Sequence, residues 1–178
     1  KVAVLGAGSM GLIMAQLIKN SSANDVVVLA STRSKLDLCE KEFGIKTVLV
    51  DRNDPQKHEK EIADMFPHGL DIVVDTTGSS DMCNSAFNML GKGGKLIEYT
   101  KVKNFVLKDA WQFAMKELSI IVSWCQTHNY GRCIEAMAKG YLNMKPLITH
   151  EFSLEDYLEA LDTNLTDRNS IKVIIHPH

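Results

Sequence analysis

The chain has 178 residues, with 20 Lys and Arg against 22 Asp and Glu, and 45% of its residues are hydrophobic. These values are typical of one soluble globular domain and exclude a disordered or fibrous chain. The net charge of −2 gives no electrostatic signature of a nucleic-acid partner, and no apolar run approaches the roughly 20 residues of a membrane span. We therefore expect a cytoplasmic protein that binds neither nucleic acid nor membrane.

The cysteines occur singly, without C-x-x-C spacing; they are Cys39, Cys83, Cys125 and Cys133. This usage argues against a disulfide framework and a zinc ribbon, so we expect reduced thiols in a cytosolic core. The chain opens with Lys1 and runs at once into the apolar segment Val2 to Leu5, with no Met or leader before it. We therefore expect a piece of a longer protein.

Short apolar runs alternate with helical periodicity over the first hundred residues, which predicts an α/β fold with a doubly wound, mostly parallel sheet. The first five strands are predicted at Val2 to Leu5, Val26 to Ala30, Thr47 to Val50, Leu70 to Asp75 and Leu96 to Tyr99. The helices between them are predicted from Ser9 to Lys19, around Leu36 to Phe43, from Pro55 to Phe66 and around Met82 to Leu90. Met10, Ile13, Met14 and Leu17 mark an apolar stripe on the first helix.

The pattern is looser after Tyr99. The predicted elements are a very short strand at Phe105 to Leu107, a helix from Asp109 to Lys116, a sixth strand from Leu118 to Trp124, a helix through Cys133 to Tyr141 and a last strand from Ile171 to Ile175. Ser153 to Asp156 resembles a capping box that opens another helix through Tyr157 and Leu161.

The strongest motif is Gly6-Ala7-Gly8-Ser9-Met10-Gly11, a G-x-G-x-x-G sequence placed where a predicted strand ends and a helix begins. In a dinucleotide-binding fold Gly6 permits the tight turn, Gly8 lets a pyrophosphate approach the backbone, and Gly11 allows close helix packing. The amides of Ser9 and Met10 then face the phosphates at the positive end of the helix dipole. A purely structural glycine turn is the alternative.

The end of the second predicted strand lacks the Asp or Glu that usually holds the ribose hydroxyls of NAD. Its sequence is Leu29-Ala30-Ser31-Thr32-Arg33. Hydroxyl groups followed by a guanidinium suit a 2′-phosphate, because Arg binds phosphate through two parallel hydrogen bonds. We therefore predict NADP as the cofactor, with NAD possible; a solvated basic loop is the alternative.

Polar residues also follow the fourth and fifth strands, as Asp75-Thr76-Thr77-Gly78 and Glu98-Tyr99-Thr100. Ligands of open α/β sheets bind at the carboxyl ends of the strands. We expect these polar groups to meet the ribose and the carboxamide of nicotinamide, although Thr and Gly are also ordinary turn residues.

These motifs, with the stretch Gly91 to Tyr99 and the closing segments Pro146 to Asp156 and Ser170 to Val173, resemble the zinc-type medium-chain alcohol and polyol dehydrogenases, in the sorbitol and threonine dehydrogenase branch. The resemblance spans nearly the whole chain. It implies a dinucleotide-binding Rossmann domain at residues 1–145 and a C-terminal segment at 146–178 that packs on it and returns toward a catalytic domain. The implied parent enzyme transfers a hydride between NAD(P) and an alcohol or carbonyl substrate.

The resemblance also implies individual cofactor contacts. Ser9 and Met10 correspond to positions beside the pyrophosphate and behind the nicotinamide, and Lys35 corresponds to a basic residue near the adenosine. The other implied contacts are Thr76, Thr77, Gly78, Tyr99, Thr100, Ser123, Trp124 and Cys125 at the nicotinamide, and Lys172 at the pyrophosphate.

The catalytic half of the family is not in this sequence. The resemblance places the zinc ligands, the proton relay and most of the substrate pocket in a preceding domain of about 150 residues, which is an ordinary domain size. Cys125, His128, Cys133 and His150 lack the spacing of a zinc site. We therefore predict that the chain carries no catalytic or metal-ligating residue and binds cofactor without turnover.

The family resemblance also predicts an oligomeric state, and two alternative functions are weighed against it. Family members pair a short strand across a two-fold axis, and the matching segment Asn104 to Leu107 predicts a homodimer; a loop packed on its own domain is the alternative. A regulatory module that senses a nucleotide without catalysis is the alternative function. A methyltransferase is less consistent, because Val4 and Leu5 precede Gly6 where an acidic residue would be expected.

Overall fold

A computed structural model describes residues 1–102, 105–123 and 128–177. Its main sheet contains six parallel strands in the order β3-β2-β1-β4-β5-β6. They are β1 (Val2–Leu5), β2 (Val26–Ala30), β3 (Lys46–Leu49), β4 (Leu70–Asp75), β5 (Leu90–Glu98) and β6 (Ser119–Val122). This is the strand order of the doubly wound dinucleotide-binding fold, so the predicted fold class is confirmed.

The helices alternate with these strands as predicted. They are α1 (Ser9–Lys19), α2 (Arg33–Phe43), α3 (Pro55–Met65), α4 (Ser80–Met89), α5 (Ala110–Met115), α6 (Tyr130–Ala138) and α7 (Tyr157–Thr166). A 3-10 turn at Lys145–Leu147 leads into β7 (Ile148–Ser153), which pairs in parallel with β8 (Lys172–His176) in a separate two-stranded sheet. Among the described residues, no helix combines the length and the apolar character that a membrane crossing requires.

The sheet has a core on each face. Ala3 and Leu5 of β1 pack in the cluster that contains α3 and α4 residues such as Ile62 and Ala86. Val2 and Val4 point to the opposite cluster, which is formed with α1 and α2. Alternation of side chains along a strand therefore fills both cores, as the continuous apolar runs of a parallel sheet require.

The segment after residue 140 contacts the first half of the chain through apolar and polar groups. Leu147 is buried in the α1 and α2 cluster. The Gln16 Nε2 donates to the backbone oxygen of Asn143 at 3.3 Å, and the Asn143 amide donates to the Gln16 Oε1 at 2.7 Å. These bonds join α1 to the approach of β7.

Several predictions after residue 100 are corrected. Phe105 to Leu107 forms no strand, because the amide group of Asn84 on α4 bonds to the Val106 carbonyl at 2.8 Å and to the Lys108 N–H at 2.9 Å. The sixth strand ends at Val122. Asn104, Trp124 and Cys125 lie outside the described residues.

The predicted capping box is also wrong in its position. Ser153 is the last residue of β7, and its hydroxyl donates to the Asp156 carboxylate at 2.8 Å. The helix starts later, at Tyr157, with Asp156 before it. Of the four predicted core thiols, Cys39 and Cys83 are buried and Cys133 is exposed on α6.

Candidate functional site

The carboxyl ends of β1, β2, β3 and β4 border a cleft of about 500 Å³, called here the main cleft. Its lining includes the predicted site residues Gly6, Gly8, Ser31, Thr32, Lys35 and Thr77. The structure thus brings together residues up to 71 positions apart in sequence, because parallel strands end at one edge of the sheet.

The three motif glycines meet different steric demands. Gly6 has φ +105°, and a Cβ there would lie 2.7 Å from the Thr76 Oγ1. A Cβ on Gly11 would lie 2.0 Å from the Gly6 carbonyl oxygen, so α1 packs too closely on the turn for any side chain. A Cβ on Gly8 would meet no atom within 4 Å. Open space therefore adjoins Gly8 at the start of α1, where unpaired amides attract anions.

The loop after β2 combines hydroxyl groups with cations. Thr32 precedes α2, and its side chain makes no capping hydrogen bond. The Arg33 Nε lies 2.9 Å from the Asp37 Oδ1, and both side chains are more than half exposed. The Lys35 Nζ donates to the Ser170 carbonyl at 2.7 Å, and burial lowers the pKa of this amine.

The Asp75 carboxylate at the end of β4 is fully buried and organises the loop that follows. Its Oδ1 accepts from the Thr77 N–H at 3.0 Å and the Thr77 hydroxyl at 2.6 Å, and its Oδ2 accepts from the Gly78 N–H at 3.0 Å. The Thr76 hydroxyl instead donates to the Leu5 carbonyl at 2.7 Å. Most polar groups of this segment therefore bond within the protein, and its contact with the nicotinamide ribose and carboxamide stays a prediction.

Glu98 has the same function at the end of β5. Its Oε1 accepts from the Thr100 N–H and the Thr100 hydroxyl, both at 2.9 Å. The Cys83 Sγ lies 3.2 Å from the Glu98 Oε2 and 3.8 Å from the Asp75 Oδ2, between the two carboxylates. Burial is the main cause that raises the pKa of both Glu98 and Cys83.

The remaining predicted contacts are dispersed. The Tyr99 and Ser123 amides donate to the carbonyls of Asp75 and Glu98 at 3.2 and 2.9 Å, which extends the sheet ladder past the strand ends. Met10 is 39% exposed on the first turn of α1, next to Ser9. Lys172 begins β8 opposite Ile148, and it is not among the residues that line the main cleft.

The main cleft also has a polar wall that was not predicted from the sequence, formed by Asp51, Arg52, His58, Ser79, Asp81 and Ser85. Asp51 and Arg52 follow β3, so the rule applied to the other strand ends would have found them. His58 and Ser85 lie on α3 and α4, and no motif marks them.

His58 is buried in this wall and contacts Ser85. Ser85 donates its hydroxyl proton to the Glu59 carboxylate at 2.6 Å, so it accepts from the His58 Nε2 at 2.9 Å. The His58 Nδ1 is buried without a hydrogen-bond partner among the described residues. Burial lowers the pKa of His58, which agrees with a single proton on Nε2.

A buried group of possible metal ligands consists of Asp75, Cys83 and Glu98, whose ligand atoms lie within 4.8 Å of one another. A zinc site needs the thiolate form of cysteine. Burial raises the Cys83 pKa, and both carboxylates already accept hydrogen bonds from their own loops. Hydrogen bonds to both carboxylates would have to be broken or shared for this cluster to bind zinc.

Comparison with known families identifies the fold around the main cleft. The family model for zinc-binding dehydrogenases matches residues 9–139, which is most of the chain. The chain belongs to this family. The resemblance predicted from the glycine motif and the closing segments is thereby confirmed.

Individual dehydrogenases resemble this chain in sequence or in fold. D-arabinitol dehydrogenase 1 from Uromyces fabae is 30% identical over 98% of this chain and 51% of the relative. An alcohol dehydrogenase from E. coli CFT073 in complex with NADH has a TM-score of 0.86 at 18% identity, covering 98% of this chain and 51% of that one. A zinc-binding dehydrogenase from Sinorhizobium meliloti 1021 bound to NADP has a TM-score of 0.85 at 20% identity, covering 99% and 52%. The chain thus spans about half the length of these proteins.

Proposed function

We propose that this chain is the NADP-preferring cofactor-binding half of a zinc-dependent dehydrogenase that acts on an alcohol or polyol. The observation that carries the proposal is the open space at Gly8, at the start of α1 and the edge of the main cleft. The polyol substrate is inferred from the name of the D-arabinitol relative. The preference for NADP is inferred from the carboxylate-free end of β2.

The main cleft and the neighbouring strand ends suit the two halves of a dinucleotide. The pyrophosphate would lie against the backbone at Gly8 and the first amides of α1, where Ser9 and Met10 contribute N–H groups. From there the adenosine would extend to Ser31 and Thr32, and the nicotinamide half toward Thr77, Gly78, Tyr99 and Thr100. Ser123, Trp124, Cys125 and Lys172 remain proposed contacts from the family resemblance.

When bound, the nicotinamide ring accepts or donates the hydride that interconverts an alcohol and a carbonyl carbon. The described residues bind and orient the cofactor for that exchange. The zinc ligands and the proton relay are proposed to lie in the half of the parent that this chain does not match. We propose that the chain alone binds cofactor and does not turn over secondary alcohols with NADP, even with added zinc.

Gly8→Asp tests the pyrophosphate site. Asp is a favoured residue before a helix, and the extended backbone at Gly8, with φ −79° and ψ −179°, accommodates it. Stability should therefore stay within about 0.5 kcal/mol of wild type. The added carboxylate would repel the pyrophosphate, so calorimetry should record at least a roughly 100-fold loss of NADPH affinity.

Gly8→Asn is the matched control, because it has the same size without the charge. We expect it to bind NADPH more tightly than Gly8→Asp. Equal affinity of wild type and Gly8→Asp, or no binding of NADH and NADPH by wild type, would refute the proposed function. The regulatory alternative has no support among the relatives, which are dehydrogenases.

We also propose that the protein is a homodimer joined near the β6 edge and the segment Asn104 to Leu107. Val106 is 62% exposed and Val122 on β6 is 69% exposed, which leaves apolar surface beside an edge strand. Such edges need pairing or protection. Val106→Pro should give a monomer by light scattering, whereas an unchanged mass or a monomeric wild type would contradict the dimer.

A further inference from the structure

A second cleft, of about 1000 Å³, adjoins the main cleft beyond the end of β2 and is called here the basic cleft. The two clefts share Ser31, Thr32, Lys35, Val50, Asp51 and Arg52. A ligand that leaves the main cleft past Ser31 therefore enters the basic cleft.

Three loops distant in sequence form the basic cleft. The β2–α2 loop contributes Ser31 and Thr32, the β3–α3 loop contributes Arg52, and the α7–β8 loop contributes Arg168. Two hydrogen bonds connect the α7–β8 loop to α2. The Ser34 hydroxyl donates to the Asn169 Oδ1 at 2.6 Å, and the Lys35 amine donates to the Ser170 carbonyl at 2.7 Å. These bonds hold the backbone beside Arg168 at the cleft.

Charge in the basic cleft favours an anion. The cations that line it are Arg33, Lys35, Arg52, Lys57 and Arg168, and the carboxylates are Asp51 and Glu61. A dianionic phosphate monoester suits this excess of positive charge, since guanidinium groups bind phosphate through paired hydrogen bonds.

The guanidinium groups differ in whether they form ion pairs within the protein. Arg33 is paired with Asp37 at 2.9 Å, so binding a phosphate would require that ion pair to open or be shared. The side chains of Arg52 and Arg168 make no hydrogen bond or ion pair with any described residue. The hydroxyls of Ser31 and Thr32 are likewise unpaired within the described part of the chain.

We propose that Arg52 and Arg168, rather than Arg33, select the 2′-phosphate of the adenosine ribose, with the Ser31 and Thr32 hydroxyls as additional donors. This inference rests on the proposed function and names the residues that determine the cofactor preference. It gives the α7–β8 loop a function in binding, although Arg168 lies 116 positions after Arg52 in the sequence.

The test compares two small probes that differ at the 2′ position, 2′,5′-ADP and 5′-AMP, by calorimetry. Wild type should bind 2′,5′-ADP more tightly. Arg52→Gln and Arg168→Gln should each lower the affinity for 2′,5′-ADP about tenfold, since both charges are exposed, and that for 5′-AMP by less than about twofold. Arg33→Gln is the comparison variant and should lower the affinity for 2′,5′-ADP by less than either of these substitutions, because Asp37 already pairs with Arg33. The effects at Arg52 and Arg168 should shrink at high salt.

The outcomes separate this inference from the proposed function. If wild type binds NADH and 5′-AMP without preferring 2′,5′-ADP, or if only Arg33→Gln lowers 2′,5′-ADP affinity, the assignment of Arg52 and Arg168 is wrong while the dinucleotide site stands. If wild type binds none of the four nucleotides, including NADPH, both proposals fail. Larger losses of 2′,5′-ADP affinity in Arg52→Gln and Arg168→Gln than in Arg33→Gln support the inference.

Discussion

The two ends of the proposed dinucleotide site are built by opposite means. At the pyrophosphate and adenosine end the backbone makes the shape, through Gly6 and Gly11, and polar side chains such as Ser31 and Arg52 stay unpaired. At the nicotinamide end the buried carboxylates of Asp75 and Glu98 accept hydrogen bonds from the loops that follow them. One end keeps its polar side chains available for a ligand, whereas the other uses them to fix loop geometry.

This contrast explains why the two ends should respond differently to substitution. Steric changes matter where backbones touch, because atoms in close contact cannot move apart without moving whole elements. Loss of charge matters where a buried carboxylate has several donors, because the donors are left without an acceptor. Separate substitutions can therefore test the two cases.

The largest effect is expected at the backbone contact of the glycine motif. Gly11→Ala places a Cβ 2.0 Å from the Gly6 carbonyl oxygen and should lower the free energy of unfolding by about 3 kcal/mol, as α1 is pushed away from the turn. Urea denaturation measures this change.

Gly131→Ala is the matched control for Gly11→Ala. Gly131 also lies in a helix, but its Cβ would meet nothing within 4 Å. Helix propensity should then make the variant more stable than wild type, by about 0.5–1 kcal/mol. If both variants gain stability, the close contact at Gly11 is not the cause of the requirement for glycine.

A smaller loss is expected at the nicotinamide end. Asp75→Asn replaces an acceptor oxygen by an NH₂ group among the donors of Thr77 and Gly78, and should lower the free energy of unfolding by about 2 kcal/mol. Because the loop after β4 loosens, NADPH affinity should fall by a larger factor than ADP affinity, which calorimetry can compare. Asp64→Asn, on the exposed surface of α3, should change none of these values appreciably. Equal losses for NADPH and ADP would mean that Asp75 does not act on the nicotinamide end.

The smallest effect concerns the pH dependence contributed by Glu98. Burial raises the pKa of Glu98 above its ordinary value of 4.5, so in the interval between the two values the folded state binds a proton that the unfolded state releases. Stability from this group is present below pH 4.5 and is lost as the pH rises through the folded-state pKa. In Glu98→Gln this loss should disappear, so the stability of wild type relative to the variant should decrease with pH.

Urea unfolding of wild type and Glu98→Gln at pH values from 4 to 8 measures that difference, and contributions from other groups such as His58 cancel. A difference that stays constant, or grows with pH, would contradict the protonation of Glu98 in the folded state. The effect should be smaller than that of Asp75→Asn.

The sequence predicted the doubly wound sheet because its strands are continuous apolar runs and its first turn has a specific glycine spacing. The predicted apolar stripe of α1 is correct in part, since Ile13 and Met14 pack against the α1 and α2 cluster. Met10 and Leu17 are exposed, while Gly11, Leu12 and Ala15 are buried. Gly11 and Ala15 are small residues on the buried face of α1, and the periodicity of large apolar side chains does not detect them.

Site residues at strand ends could be predicted from the sequence. Site residues placed by tertiary contacts could not. The residues at the ends of β2 and β4 were found from their place in the chain. The orientation of the Asp75 carboxylate was not predicted, because its burial against Cys83 and Glu98 depends on how α4 packs across two strands. Arg168 reaches the basic cleft through the α7–β8 loop, and no local pattern encodes a contact across so many residues.

The buried thiol of Cys83 offers a way to measure how often the interior of the protein opens to solvent. A thiol alkylates through its thiolate, and burial between two carboxylates both shields Cys83 and raises its pKa. Labelling then waits for the segment around α4 to open transiently, so its rate reports the frequency of that opening. Cys133, exposed on α6, reacts without such a step and supplies the reference rate within the same molecule.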